Sequence, residues 1–361
     1  MLDCSTSGTR IRPYDYEVFV GMDTDKRSIA ITQVGHDSFE KSLKLPNDGV
    51  ALLGWARNHL AGRRVCFVYE AGPTGFGVYD MLAANGYTCL VVSPGGVPRA
   101  PGRRVRTNRL DSRKLARLLR GGNLEGIRVP PPRYRELREL VQLRATQVAQ
   151  LAAAKQRIKA LFLRNALSFP GEKAYWTDDL RRRLRELECN RSLRIKLDSL
   201  LNALEFNQSQ VNCSMTAIKS LVGSDEELAE SVGYAMSIPG IGWVVATYVV
   251  ARIGDWRLLR DSRETASFFG LVPAEDSTGD RNDRGPITKT GDPLGRSLLV
   301  EAAWAACSKD PEMAAFYRRV YASHPRDKAA RIAIVAVARK LVTRLHCVLK
   351  ERRGYELRLA A

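Results

Sequence analysis

From residue 16 to about residue 125, apolar and polar positions follow the periods of short strands and amphipathic helices in turn. YEVFVGMDTDKRSIAITQVG holds two β-branched apolar runs around a charged tip at Asp23–Lys26, which predicts a hairpin. DGVALLGWARNHLAG reads as a helix, RRVCFVYEAG as a buried strand, and GFGVYDMLAANG as a helix stopped at Gly86. YTCLVVSP is a further buried strand, and LDSRKLARLLRGG a helix ended by its glycines. A β-rich start followed by βαβ units predicts an α/β domain with a mixed sheet.

The next stretch is long, charged and helical. Leu137, Val141, Val148, Leu151, Ile158 and Phe162 recur at three-four spacing, with Arg144 and Lys155 in the missing steps. Leu197, Leu201, Leu204, Val211 and Ile218 repeat the pattern, and FPGEKAYWTDD separates the two with Pro170 and Gly171 as breakers. This predicts an antiparallel helical coiled-coil region, able to pair with another subunit. Arg181, Arg182, Arg183 and Arg185 either contact phosphates or form a solvated face. Beyond it, MSIPGIGWVVATYVVARIG sets the turn Pro239-Gly240-Ile241-Gly242 between helical stretches. Such a turn is either a plain helix–helix corner or a place where backbone N–H groups at Gly240 and Gly242 hold a phosphate. The expected domains are an N-terminal tail (1–15), an α/β domain (16–128), a helical linker (129–224), a mainly α C-terminal domain (225–348) and a basic tail (349–361).

Charge narrows the partner. The chain has 57 basic and 39 acidic residues, a formal charge of +18. That balance favours a nucleic acid or an acidic membrane. No apolar run approaches the roughly 20 residues a membrane helix needs, and MLDCSTSGTRIRPYDYE has no signal-peptide core. The seven cysteines are scattered without a CxxC pair, which argues against a zinc site or disulfide framework and fits a cytoplasmic protein. The four histidines fall in no metal-ligand spacing.

Candidate chemistry centres on a lone acid among bases. Asp111 is the only carboxylate in RAPGRRVRTNRLDSRKLARLLR. Arg103, Arg104, Arg106, Arg109, Arg113 and Lys114 around it would hold a polyanion, while the carboxylate helps fix a cation. The alternative is an acid that merely relieves repulsion. Asp23 ends the first strand and Glu70 the RRVCFVYE strand, so with Asp111 three acids converge where ligands bind α/β sheets, although acids at strand ends are also common turn and cap residues, the plainer reading for Asp23 alone. They form a candidate divalent-metal site, with Asp25 as a reserve ligand. Farther on, FFGLVPAEDSTGDRNDRGPITKTGDPLGRSLLVEAAWAA combines hydroxyls with Arg281, Arg284 and Lys289, then a helix with Glu301 and Trp304. A serine in such a basic loop is a cap, a phosphate hydrogen-bonder or a nucleophile, and no general base stands beside it in sequence.

GMDTDK, VYEAGPTG and RTNRLDSRKLA, then SIPGIG, GLVPAEDSTG and RGPITKTGD followed by EAAW, resemble in order the motifs of the DEDD insertion-sequence transposases. That "one-ten" family includes relatives of the Piv DNA invertase, and the likeness spans roughly residues 16–345. The resemblance implies a RuvC-like, RNase H-type N-terminal domain, a coiled-coil linker and a C-terminal domain with a nucleophilic serine. It implies Mg²⁺, with Mn²⁺ as a substitute, held by Asp23, Glu70 and Asp111. The serine is Ser277 of DSTG, or Thr278 one step on. It further implies a homo-oligomer acting on element ends and target DNA, guided by a structured non-coding bridge RNA. Asn108 stands where the family has its third acid, so one negative charge is missing from the expected site. Two other readings remain: a Mg²⁺-dependent structure-specific nuclease of the junction-resolvase kind, and a non-catalytic nucleic-acid-binding derivative.

Overall fold

A computed structural model describes residues 10–37, 39–98, 108–170, 176–278 and 281–356. The chain divides into two compact units, Met1–Val129 and Pro130–Ala361.

The first unit is a five-stranded sheet of order β3-β2-β1-β4-β5 with helices on its faces. β1 (Val18–Thr24) and β2 (Ser28–Gly35) form the expected hairpin, and β3 (Glu40–Pro46) extends it antiparallel. β3 was not foreseen, because EKSLKLP places lysines among its apolar residues and shows only half-burial, as an edge strand does. After α1 (Gly49–Leu60), β4 (Val65–Glu70) pairs parallel with β1, and after α2 (Gly77–Ala84), β5 (Thr88–Val92) pairs parallel with β4. The sheet is therefore mixed, as the pattern predicts.

Alternation sorts the strand residues onto two faces. Val18, Val20 and Met22 of β1 and Val65, Phe67 and Tyr69 of β4 join Leu52, Trp55, Leu60 and Leu82 of α1 and α2 in one core. Phe19, Cys66 and Val68 pack on the opposite side with Leu115 and Leu119 of α3 (Asn108–Arg120).

In the second unit, α4 (Pro132–Arg164) and α6 (Arg191–Ser224) are the two long helices expected. Leu151, Ile158 and Phe162 pack with Leu193, Leu197 and Leu204, whereas Leu137 and Val141 pack with Ile218 and Val222. The start of one helix thus meets the end of the other, so the pair is antiparallel. α5 (Asp178–Glu186) starts on the last two residues of the separator FPGEKAYWTDD and runs beyond it, and its Leu180 and Leu184 close the core at that end.

Tyr134, Leu137, Val141, Ile218 and Val222 belong to the same core as the helices that follow. These are α7 (Glu226–Met236), α8 (Trp243–Ile253), α9 (Ser262–Phe268), α10 (Pro293–Lys309), α11 (Pro311–Ala322) and α12 (Arg326–Glu351). Between α9 and α10 a two-stranded hairpin, β6 (Pro273–Thr278) and β7 (Arg281–Ile287), stands where a basic loop was expected. Its sequence lacks apolar alternation, the signal that marks a strand packed on a core. Among the described residues, no helix is long and apolar enough to cross a membrane.

Candidate catalytic acids and the serine hairpin

The parity that builds the first unit also places its acids. Asp23 shares the face of Phe19, and Glu70 that of Cys66 and Val68, so both lie on the α3 side of the sheet. β1 and β4 run parallel with Met22 opposite Tyr69; one step further sets Asp23 beside Glu70. Asp111, in the first turn of α3, approaches from above.

Gly21 makes that approach possible. A Cβ at Gly21 would collide with the Ser112 carbonyl and lie 2.5 Å from the Ala116 backbone nitrogen. Helix α3 therefore rests directly on β1, two residues from Asp23 on one element and one residue from Asp111 on the other. Buried Ser112 fixes the contact, its Oγ 2.9 Å from Thr32 Oγ1 and donating to the Arg109 carbonyl at 3.1 Å. At the same sheet edge, Thr24 Oγ1 lies 3.0 Å from Thr74 Oγ1, tying the end of β1 to the loop after Glu70.

Electrostatics registers the convergence. Partial burial pushes the Asp23 carboxyl from 3.8 up to about 6, and Asp111, Glu70 and Asp25 add to the rise, in that order. No cation among the described residues pairs with Asp23. Crowded carboxylates of this kind are relieved by a bound cation. Three of the acids surrounding that point are the expected set, and all are hard oxygen donors suited to Mg²⁺ or Mn²⁺. Even so, among the described residues no three His, Cys, Asp or Glu side chains are gathered closely enough to enclose a metal ion.

Asp25 sits exposed in the β1–β2 turn, where its Oδ1 accepts from Lys26 N at 2.6 Å. Asn108 is the first residue of α3 and is exposed, three positions before Asp111 and so on the same side of the helix. Arg109 is exposed and Lys114 half-buried. Arg113 has its Nε 2.5 Å from Glu40 Oε1, an ion pair any phosphate would have to displace. Arg103, Arg104 and Arg106 lie outside the described residues.

In the second unit, Ser277 stands opposite Asn282 and Thr278 opposite Arg281, the last pairs before the hairpin tip. Arg284 stands opposite Glu275 nearer the base. Lys289 follows the hairpin, exposed and with φ of 54°.

At the start of α10, after the hairpin, stands a group the sequence did not single out. Asp292 is buried and caps α10, its Oδ1 accepting from Leu294 N at 3.2 Å and Gly295 N at 3.1 Å. It also accepts from Arg252 Nε at 2.7 Å and from the Tyr248 hydroxyl at 3.0 Å. Burial opposes ionisation of Asp292, but the Gly295 N–H and the Arg252 guanidinium outweigh it and hold the carboxyl below its usual value. Arg138 of α4 then donates to the Arg252 carbonyl at 2.9 Å. Asp before Pro-x-Gly at a helix start is a legible cap signature; its ionic partners, 40 residues or more away, are not.

The SIPGIG turn closes with Ile241 N donating to the Ile238 carbonyl at 3.0 Å. Gly240 has φ of 93°, and a Cβ there would lie 2.5 Å from Ala306 N and 2.7 Å from the Ala302 carbonyl. That glycine is explained by its packing against α10. Gly242 is different: it caps α8 with no side-chain bond, and space is open beside it.

Two family models match the chain: "Transposase" of the DEDD type over residues 20–165 and "Transposase IS116/IS110/IS902 family" over residues 233–318. The chain is 30% identical to the putative transposase y4qE of Sinorhizobium fredii over 378 residues, covering 96% of this chain and 92% of that one. It is 25% identical to the transposase for insertion sequence element IS1533 of Leptospira borgpetersenii, covering 80% and 85%. The pilin gene-inverting protein of Moraxella bovis is 26% identical over 144 residues, 39% of this chain and 44% of that one.

Proposed function

Because the chain belongs to the IS110/IS116/IS902 family of insertion-sequence transposases, whose DEDD domain implies a RuvC-like fold, we propose that it cuts and rejoins DNA with Ser277 as nucleophile and a cation-binding acid cluster of Asp23, Glu70 and Asp111. The observation that carries this reading is the Asp23 carboxyl, lifted to about 6 by burial and by Asp111, Glu70 and Asp25. Acids brought together at such a cost, with no cation among the described residues pairing Asp23, fit a site built for an added positive charge.

In the chemistry proposed, Ser277 Oγ loses its proton and bonds to phosphorus while the bond to one bridging oxygen breaks, and that oxygen takes up a proton. The phosphoserine keeps the phosphodiester energy, so a hydroxyl from another strand reverses the step and rejoins the DNA. A divalent cation, held by Asp23, Glu70 and Asp111, would supply positive charge to stabilise the crowded phosphoryl oxygens and ease loss of the hydroxyl proton. Asn108 would add a neutral carbonyl oxygen, with Asp25 or Thr278 in reserve. Arg281, Arg284, Lys289 and the open helix start at Gly242 hold phosphate oxygens, as do Arg109, Lys114 and the basic loop before them.

The +18 charge suits both DNA ends and a structured guide RNA, whose base pairing would carry target choice outside the protein. The active form is proposed as a homo-oligomer. Ser277→Ala and Asp111→Ala should each abolish strand exchange while leaving DNA binding largely intact, and Ser277→Ala should also lose the covalent protein–DNA adduct on denaturing gels. Normal recombination by Ser277→Ala, with Thr278→Ala equally active, would refute the serine role. Sequencing RNA that co-purifies with the protein tests guidance: one dominant structured species supports it, and a smear of cellular RNA refutes it.

A junction-resolvase-like nuclease is the second reading, favoured by the fact that all three acids lie in the first unit. It requires cleavage by Ser277→Ala at the wild-type rate and no adduct.

A further inference from the structure

We infer that Trp304, Tyr317 and Tyr321 form a platform on which unpaired bases of a nucleic-acid strand stack. The inference rests on the nucleic-acid reading above but not on its chemistry. Trp304 is on α10 in the EAAW segment, and the two tyrosines are one turn apart on α11. Their rings form a continuous row: Trp304 and Tyr317 have centroids 5.6 Å apart, and Tyr317 and Tyr321 lie stacked at 6.0 Å with planes 28° apart. Tyr317 is partly packed on the core and anchors the row, whereas its ends face solvent, Trp304 being 46% and Tyr321 39% exposed.

The exposed faces of Trp304 and Tyr321 are costly to keep wet. Their surroundings favour a polyanion over a protein surface. Arg318 lies three residues before Tyr321, which sets the two side by side on the helix. Its Nε donates to the Ala314 carbonyl at 3.3 Å. The Arg319 guanidinium lies 5.2 Å from the Phe316 ring centroid. Neither arginine has a carboxylate partner among the described residues. Glu312, an acid on the same helix, is taken up by Lys340 at 2.6 Å and Arg344 at 2.7 Å. Glu301, one turn before Trp304, is exposed, so the strand's backbone is expected to track the α11 side. A row of aromatic faces edged by guanidinium groups that no carboxylate among the described residues neutralises is the chemistry of base stacking with phosphate contact, and a duplex, its bases already stacked, cannot use it.

The test is binding of the full-length protein, in EDTA, to oligothymidylate, oligouridylate and a DNA duplex of equal length. Polarisation of labelled strands and tryptophan fluorescence are the readouts. Omitting divalent cations separates this result from any failure of the cleavage mechanism. Trp304→Ala and Tyr321→Ala should each bind the single strands roughly 5- to 150-fold more weakly, the range for one lost base–ring stack, with duplex binding unchanged. Trp304→Phe should recover most of the loss, which a misfolded surface would not do. The fluorescence quenching seen with wild type should be much reduced in Trp304→Phe, identifying the ring that stacks. The deoxy and ribo arms tell whether DNA or RNA is the source of the unpaired bases. Wild-type affinity of both alanine variants for single strands would overturn the inference. So would an equal loss for duplex, or a change in oligomeric state with single-strand binding intact, which would make this face a protein interface.

Discussion

Replacing Asp23 by Asn should make the protein more stable and less able to bind a cation, and the pH dependence separates these effects. The carboxyl rises from 3.8 to about 6, chiefly by burial and then by Asp111 and Glu70. At roughly 1.36 kcal/mol per pKa unit the full shift corresponds to about 3 kcal/mol. Asp23 keeps some contact with water, so solvent screening reduces this to on the order of 1–2 kcal/mol. The sign follows from proton uptake. Below about pH 4, Asp23 is neutral folded and unfolded and contributes no penalty. Between pH 4 and 6 the folded state binds more protons than the unfolded, so stability falls as pH rises, and above about 6 the penalty is complete. At pH 7.5 without divalent cations, Asp23→Asn should therefore exceed wild type by about 1–2 kcal/mol, with the gap closing as pH falls towards 4. The chain has two units, so the measurement is urea-dependent hydrogen exchange read on peptides from β1 and β4. Mg²⁺ at a hundredfold its dissociation constant should then stabilise wild type by about 2.7 kcal/mol and leave the variant unchanged, reversing the order. A variant that is less stable at pH 7.5, or a gap that does not change with pH, would refute the electrostatic reasoning.

Gly21→Ala should force α3 away from β1, costing roughly 1–3 kcal/mol in unfolding experiments and removing metal-dependent cleavage by displacing Asp111. Gly240→Ala adds backbone strain at φ of 93° to a clash with α10, for a loss on the order of 3 kcal/mol or more by thermal unfolding, whereas Gly242→Ala should change stability little. Asp292→Ala leaves Arg252 and Tyr248 without their carboxylate and should destabilise the second unit by roughly 3–5 kcal/mol in urea, with Asp292→Asn milder because it still caps α10. Asn108→Asp should tighten Mg²⁺ binding measured by calorimetry and preserve or raise cleavage; a clear loss of strand exchange would place Asn108 outside the metal site.

Much of the first unit was legible along the chain. Strands β1, β4 and β5 are buried apolar runs, and the acids stand at strand ends or open a helix, so period and punctuation located them. α4 and α6 announced themselves by apolar residues at three-four spacing. β3 and α5 were hidden for different reasons: lysines interrupt the first, and the second is a nine-residue helix too brief for its period to show. The β6–β7 hairpin escaped because its sequence is mostly polar and carries no apolar alternation.

Local sequence determined most of the elements, the basic charge and the order of motifs that marks the family, because each depends on residues within a few turns of one another. The tertiary structure alone decided that Gly21 is the seat of α3, that Gly240 is packing against α10, and that Asp292 gathers Arg252 and Tyr248. It also decided that Glu70 and Asp111 come near enough to Asp23 to help raise its carboxyl, and that Trp304 meets Tyr317 and Tyr321. These are contacts between residues distant in the chain. Their energies come from excluded volume and from charge at short range, which a linear pattern does not encode.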